Sequence, residues 1–172
     1  MPKLKKFIKY VDRTNEIIGK CVSLLVIPLT LIVMTEVIMR YVFSSPTIWA
    51  WDVNMYLGGL LMIMGAGYGH LCECHVSVDV ILERWSTKKR IILKMILFPF
   101  IIIPLFIILW FGYEAAWKSV KILEHHTSLW NPPIYPLRIA IPVGLVFFIL
   151  QAFSQFFKDY IHYRELVDKE KV

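Results

Sequence analysis

"IILKMILFPFIIIPLFIILWFGY", residues 91–113, decides the fold. A hydrocarbon core about 30 Å thick is crossed by roughly 20 apolar helical residues, and this run is that long. Three more stretches pass the same test: 17–39, 53–71 and 139–157. The chain has 172 residues, 58% of them hydrophobic, and its mean hydropathy of +0.61 is too high for an ordinary soluble domain. The reading is an all-α membrane protein of four transmembrane helices, a single domain over 1–172. No internal repeat or low-complexity segment interrupts it.

The opening "MPKLKKFIKY" before an apolar run has the look of a signal peptide. The run is too long for such a peptide's core and no small-residue cleavage pattern follows, so an uncleaved first span is expected. If both termini are cytoplasmic, all of the 19 basic residues except Arg40, Lys118, Lys121 and Arg138 lie inside. The positive-inside rule supports that orientation. The net charge of +6 then marks contact with anionic membrane lipids, not a nucleic acid.

Leu4, Phe7, Ile8 and Val11 recur at helical spacing among lysines. They predict an amphipathic helix over 3–16 on the inner surface, with a solvated basic tail as the alternative. Gly58, Gly65 and Gly69 line one side of the second span and predict a packing seam, within the chain or against a partner. Pro28, Pro99 and Pro104 predict shape changes in their helices. In "GYEAAWKSVKILEHH", 112–126, Glu114–Lys118 and Lys121–His125 are spaced i,i+4, so the third helix runs past the bilayer. The prolines of "TSLWNPPIYPLR", 127–138, make a stiff connector, and Trp130 and Tyr135 suit the interface. Gln151, Ser154 and Gln155 are the deepest polar set of the fourth span, suited to hydrogen bonds across a helix interface.

Two places invite chemistry. "HLCECHVSVDV", 70–80, concentrates histidines, cysteines and acids. A reducing cytoplasm disfavours a Cys72–Cys74 disulfide, and too few ligands assemble for a closed zinc site, so no metal is expected. Val78, Ile81, Leu82 and Trp85 instead predict a short interfacial helix over 76–86, with His75 and Asp79 one turn apart at its start. At the other face, Glu36 lies one turn before Arg40. Asp52 is expected to reach the same guanidinium across the 41–51 connection, with Trp49 and Trp51 alongside. The alternative is that Arg40 snorkels to headgroups.

"RYVF" at 40–43, "WAWD" at 49–52, "GAGYGH" at 65–70, "HVSVDV" at 75–80 and "PPIYPLRIAIPVG" at 132–144 occur in that order. Together they resemble the small membrane subunit, DctQ-type, of tripartite ATP-independent periplasmic (TRAP) transporters. Members often carry glycines before the second of these histidines and a basic residue two positions after it. Here Cys72, Glu73, Cys74 and Ser77 stand in that neighbourhood. The resemblance implies a subunit of a bacterial inner-membrane complex and not an enzyme, with no catalytic residue and no cofactor. Its expected role is a scaffold packed on the large permease subunit of a sodium-driven importer of organic acids. A periplasmic solute-binding protein is expected to dock near 124–136, Lys118 and Lys121.

Three other classes compete. A membrane enzyme needs a nucleophile–base pair, and none stands near Glu36, Asp52 and Glu114, the acids near the outer boundary. A haem b redox subunit needs paired histidines inside its spans, whereas His70, His75, His125, His126 and His162 lie at or beyond the span ends. An independent small carrier needs broken helices or polar groups at mid-membrane, and the sequence offers neither.

Overall fold

The computed structural model describes residues 2–72 and 86–170. The described chain forms five helices: α1 Pro2–Ser23, α2 Val26–Tyr41, α3 Ala50–Leu71, α4 Thr87–Lys121 and α5 Tyr135–Glu170. The expected interfacial helix over 76–86, with His75 and Asp79, lies outside the described residues.

The first apolar run is broken at 24–25. Pro28 has no N–H to offer the carbonyl of Leu24, which instead accepts from Ile27 N at 3.2 Å. This tight turn lets the chain bend between α1 and α2. Upstream, the helix expected over 3–16 continues to Ser23, and it does not simply lie on a surface. Ile8 and Val11 are buried because α1 packs against α3 and α5. Cys21, near the end of α1, is exposed.

α5 is the central element, flanked by α4, α3 and α1, while α2 leans on α3. Ile102 and Leu105 of α4 meet Leu145, Ile149 and Ala152 of α5 in the core. Phe98 extends that contact edge-on to Phe153, with ring centres 5.3 Å apart. Where α3 crosses α5, a Cβ at Gly144 would sit 2.7 Å from the Ile63 carbonyl oxygen, so only glycine permits this approach.

Among the described residues, three helical stretches are long and apolar enough to cross a membrane: Lys3–Tyr41, Thr87–Lys121 and Tyr135–Asp168. α3, the expected second span, is not among them. It has 22 residues, a spanning length, but glycines and polar residues dilute its apolar content. At about 1.5 Å per residue, α4 with 35 residues and α5 with 36 both outrun the hydrocarbon core. Large apolar side chains, including Ile27, Leu31 and Met34 of α2 and Phe100, Ile103 and Trp110 of α4, are exposed. The arrangement suits a multi-pass membrane protein, whose lipid-facing surface is apolar.

Candidate functional site

At one end of the bundle the 121–135 connector folds into a cap. α4 ends as Ile122 N bonds to Lys118 O, and Leu123 and Asn131 take left-handed backbone angles, φ 47° and 53°. Those two bends bring 124–134 back on itself. His126 N donates to Pro132 O at 2.8 Å and Ile134 N to Glu124 O at 2.9 Å. Arg138 of α5 holds the Glu124 carboxylate at 2.8 Å. Tyr56 of α3 donates its hydroxyl to Pro133 O at 2.6 Å.

Asp52 ties this cap to the start of α3. The residue is 1% exposed, and its carboxylate faces the cap. It accepts from Ser128 Oγ at 2.5 Å and lies 3.2 Å from His126 Nδ1. The sequence placed Asp52 on Arg40; the structure corrects this. Arg40 holds Glu36 alone of the two acids, through Nη2 at 2.6 Å and Nε at 3.1 Å. The other Glu36 oxygen accepts from the backbone N–H of Thr47 at 3.1 Å and from its hydroxyl. Glu36 thus fastens the 41–49 connection rather than bridging to α3. Trp49 and Trp51 are exposed at the same end.

Lys118 pairs with Glu114 at 2.6 Å. Lys121 does not reach His125: it lies over the Trp117 ring, 5.3 Å from its centre, and His125 Nδ1 contacts Leu123 O at 2.6 Å. The helix has ended before 125, so the i,i+4 spacing no longer applies. Leu129 and Trp130 are exposed on the cap, and Tyr135 opens α5 half-buried.

Toward the other end, a polar network joins α1 to α5. Asp12 Oδ1 accepts from Gln151 Nε2 and Ser154 Oγ, each at 2.9 Å, and Oδ2 pairs with Lys158 at 2.8 Å. Asn15 donates to Gln151 Oε1 at 2.9 Å. Asn15, Gln151 and Ser154 are no more than 1% exposed. Asn15 Oδ1 has no hydrogen-bond partner among the described residues and lies against α3, where a Cβ at Gly67 would come within 2.2 Å of it. Asn15 and Asp12 escaped the sequence reading. The available signal was Asn15 continuing the Ile8–Val11 stripe at helical spacing.

Of the glycine stripe, Gly58 is 3.9 Å by its would-be Cβ from Leu29, and Gly65 faces open space. Gly69 sits in the last turn of α3. The tight internal approaches are made by Gly67 and Gly144 instead, and by Gly19 of α1 against Tyr68. Among the described residues, no group of three or more histidine, cysteine or acidic side chains could hold a metal.

The sequence profile of the DctQ component of tripartite ATP-independent periplasmic transporters matches residues 29–161. The chain belongs to this family. It is a family of transporter components, so this chain is a DctQ-type component of a TRAP transporter. It is also similar to the C4-dicarboxylate TRAP transporter small permease protein DctQ of Vibrio cholerae serotype O1, 29% identical over 62 residues. That alignment covers 36% of this chain and 27% of the relative. The DctQ match runs from within α2 to within α5, including the Glu36 and Asp52 anchors. It begins after Asp12 and Asn15, so the α1 half of the polar network lies outside it.

Proposed function

We propose that this DctQ subunit is the scaffold of a sodium-driven importer, packed on a large permease subunit and presenting a docking face to a periplasmic solute-binding protein. Four spans cross the inner membrane, α3 among them, with both termini cytoplasmic and the 121–135 cap in the periplasm. The basic residues of α1 and of the first turns of α4 then meet the anionic inner leaflet. The solute is an organic acid, the class that includes the C4-dicarboxylates in the relative's name.

The observation that carries this reading is the tied cap. Asp52, Tyr56 and Arg138 each fasten 124–134 to a helix. An exposed surface held in one conformation loses little entropy when a partner binds it. Leu129 and Trp130 give that surface apolar contact area, and Lys118 and Lys121 give it positive charge at the rim. The exposed apolar sides of α2 and α4 supply area for the large subunit and for membrane lipids.

Co-expression with the permease and the binding protein tests the reading. The tagged chain is expected to purify with the permease in fixed ratio, and sodium-driven organic-acid uptake by the reconstituted complex is expected to need both. Lys118→Glu with Lys121→Glu should weaken docking of the binding protein without lowering membrane levels. Full uptake by the permease without this chain is the result that removes the scaffold role.

A further inference from the structure

A groove of about 930 Å³ runs between α1 and the last third of α5. Its lining carries five cationic side chains, Lys5, Lys9, Arg13, Lys20 and Lys158, against three acids, Asp12, Glu16 and Glu165. Two of the acids are already matched: Asp12 by Lys158 at 2.8 Å and Glu16 by Lys20 at 2.5 Å. Among the described residues, Lys5, Lys9 and Arg13 have no acidic partner within ion-pair reach. They stand on one face of α1 at i, i+4 and i+8, so their charges converge on one strip of the groove. Ile8, Ile17 and Ile161 supply apolar lining beside them.

We propose that this groove binds the headgroup of an anionic phospholipid. The position of the groove along α1 selects the ligand. The apolar run of the first span begins at 17, and the free cations lie in the turns just before it. The groove sets Ile8, Ile17 and Ile161 beside its cations, at the foot of the first span, so it offers both charge and apolar contact. A phosphate with acyl chains fits both parts, whereas a free anion uses only the first. Lys9 and Arg13 hold the phosphate, with the Arg13 guanidinium able to give two parallel hydrogen bonds, and Lys5 adds charge. Because the wall opposite α1 belongs to α5, a bound lipid also bridges the helices that the Asp12 network joins.

The headgroup level rests on the membrane placement proposed above, but the binding itself does not. The test uses the full chain in neutral detergent, titrated with phosphatidylglycerol and, separately, phosphatidylcholine of the same acyl chains, with bound lipid read by native mass spectrometry. Saturable binding of phosphatidylglycerol is expected, with phosphatidylcholine at least tenfold weaker. Lys9→Gln with Arg13→Gln is expected to weaken phosphatidylglycerol roughly thirtyfold, on the scale of one basic residue's attraction to an anionic surface taken twice. The charge-matched Lys89→Gln with Arg164→Gln is expected to leave it unchanged. Equal binding of the two lipids, or equal losses in the two variants, overturns the site. Displacement of the lipid by millimolar inorganic phosphate identifies a free-anion site and overturns the lipid assignment. Thiol accessibility in spheroplasts reads the orientation independently, so a wrong orientation and an absent site give different results.

Discussion

Asp52 opens α3 and Ser128 lies 76 residues further on, yet the Ser128 hydroxyl donates to the Asp52 carboxylate at 2.5 Å. Contacts of this kind make the connector part of the fold and not a strap laid over it. Asp52→Ala removes the acceptor for Ser128 and the neighbour of His126, and leaves both polar groups half-buried. A cost of about 1–3 kcal/mol is expected, confined to the cap. Hydrogen exchange at 124–134 should accelerate while the α4–α5 core stays protected. Unchanged exchange in the cap would show that Tyr56 and Arg138 hold it without Asp52.

Gly67 and Asn15 are coupled by contact. Gly67→Ala drives a methyl group into Asn15 Oδ1, which lies 2.2 Å from the added atom. Overpacking of this kind costs about 1–3 kcal/mol. Asn15→Ala makes room but gives up the bond to Gln151. The double variant is therefore expected to be more stable than the sum of the two single losses predicts, measured by thermal unfolding in detergent. Simple additivity would mean that α1 moves away from α3 without strain.

The glycines on α3 and α5 separate packing within the chain from packing against a partner. Gly144→Ala meets the Ile63 carbonyl, a backbone atom that cannot rotate aside, and should lower thermal stability by about 1–3 kcal/mol. Gly65→Leu meets open space and should leave the isolated chain as stable as before. If α3 faces the large subunit at Gly65, the same variant lowers co-purification of the permease. Stable complex formation by Gly65→Leu points the interface elsewhere, toward α2 or α4.

Glu36 has two sets of partners and Arg40 has one. Arg40→Lys keeps the charge and loses the forked contact, so a small defect in assembly is expected. Arg40→Leu should be worse, and Glu36→Ala worst, because the Thr47 bonds go as well. The ranking is read from the yield of folded protein in membranes. Should Arg40→Leu match Glu36→Ala, the Thr47 contacts contribute nothing.

Much of the fold is visible in the sequence because apolar runs report spans and prolines report breaks. Pro28 marks the bend between α1 and α2, and the charged extension past 113 belongs to α4, which ends at Lys121. The sequence shows less of where a helix stops once it leaves the apolar run: α5 continues from 157 to Glu170, held partly by Lys158 on Asp12. Partners distant in sequence were not visible. Asp52 had a plausible arginine twelve residues away, and nothing local announced Ser128. Periodicity tells which side of a helix is apolar; it does not tell which glycine meets another backbone. Gly65 and Gly67 lie two residues apart and have opposite surroundings.

The central position of α5 has a consequence for how the chain is made. α1, α3 and α4 all pack on α5, and it leaves the ribosome after them. Until residue 135 and beyond emerge, Asp12 and Asn15 have no Gln151 to bond, and the Ile102–Leu105 face of α4 has nothing to close against. The contacts of α1 and α2 with α3 can form first, while the groups that face α5 wait for it and close in a late step. A ribosome stalled before α5 would leave a chain inserted but only partly assembled, a natural substrate for membrane proteases.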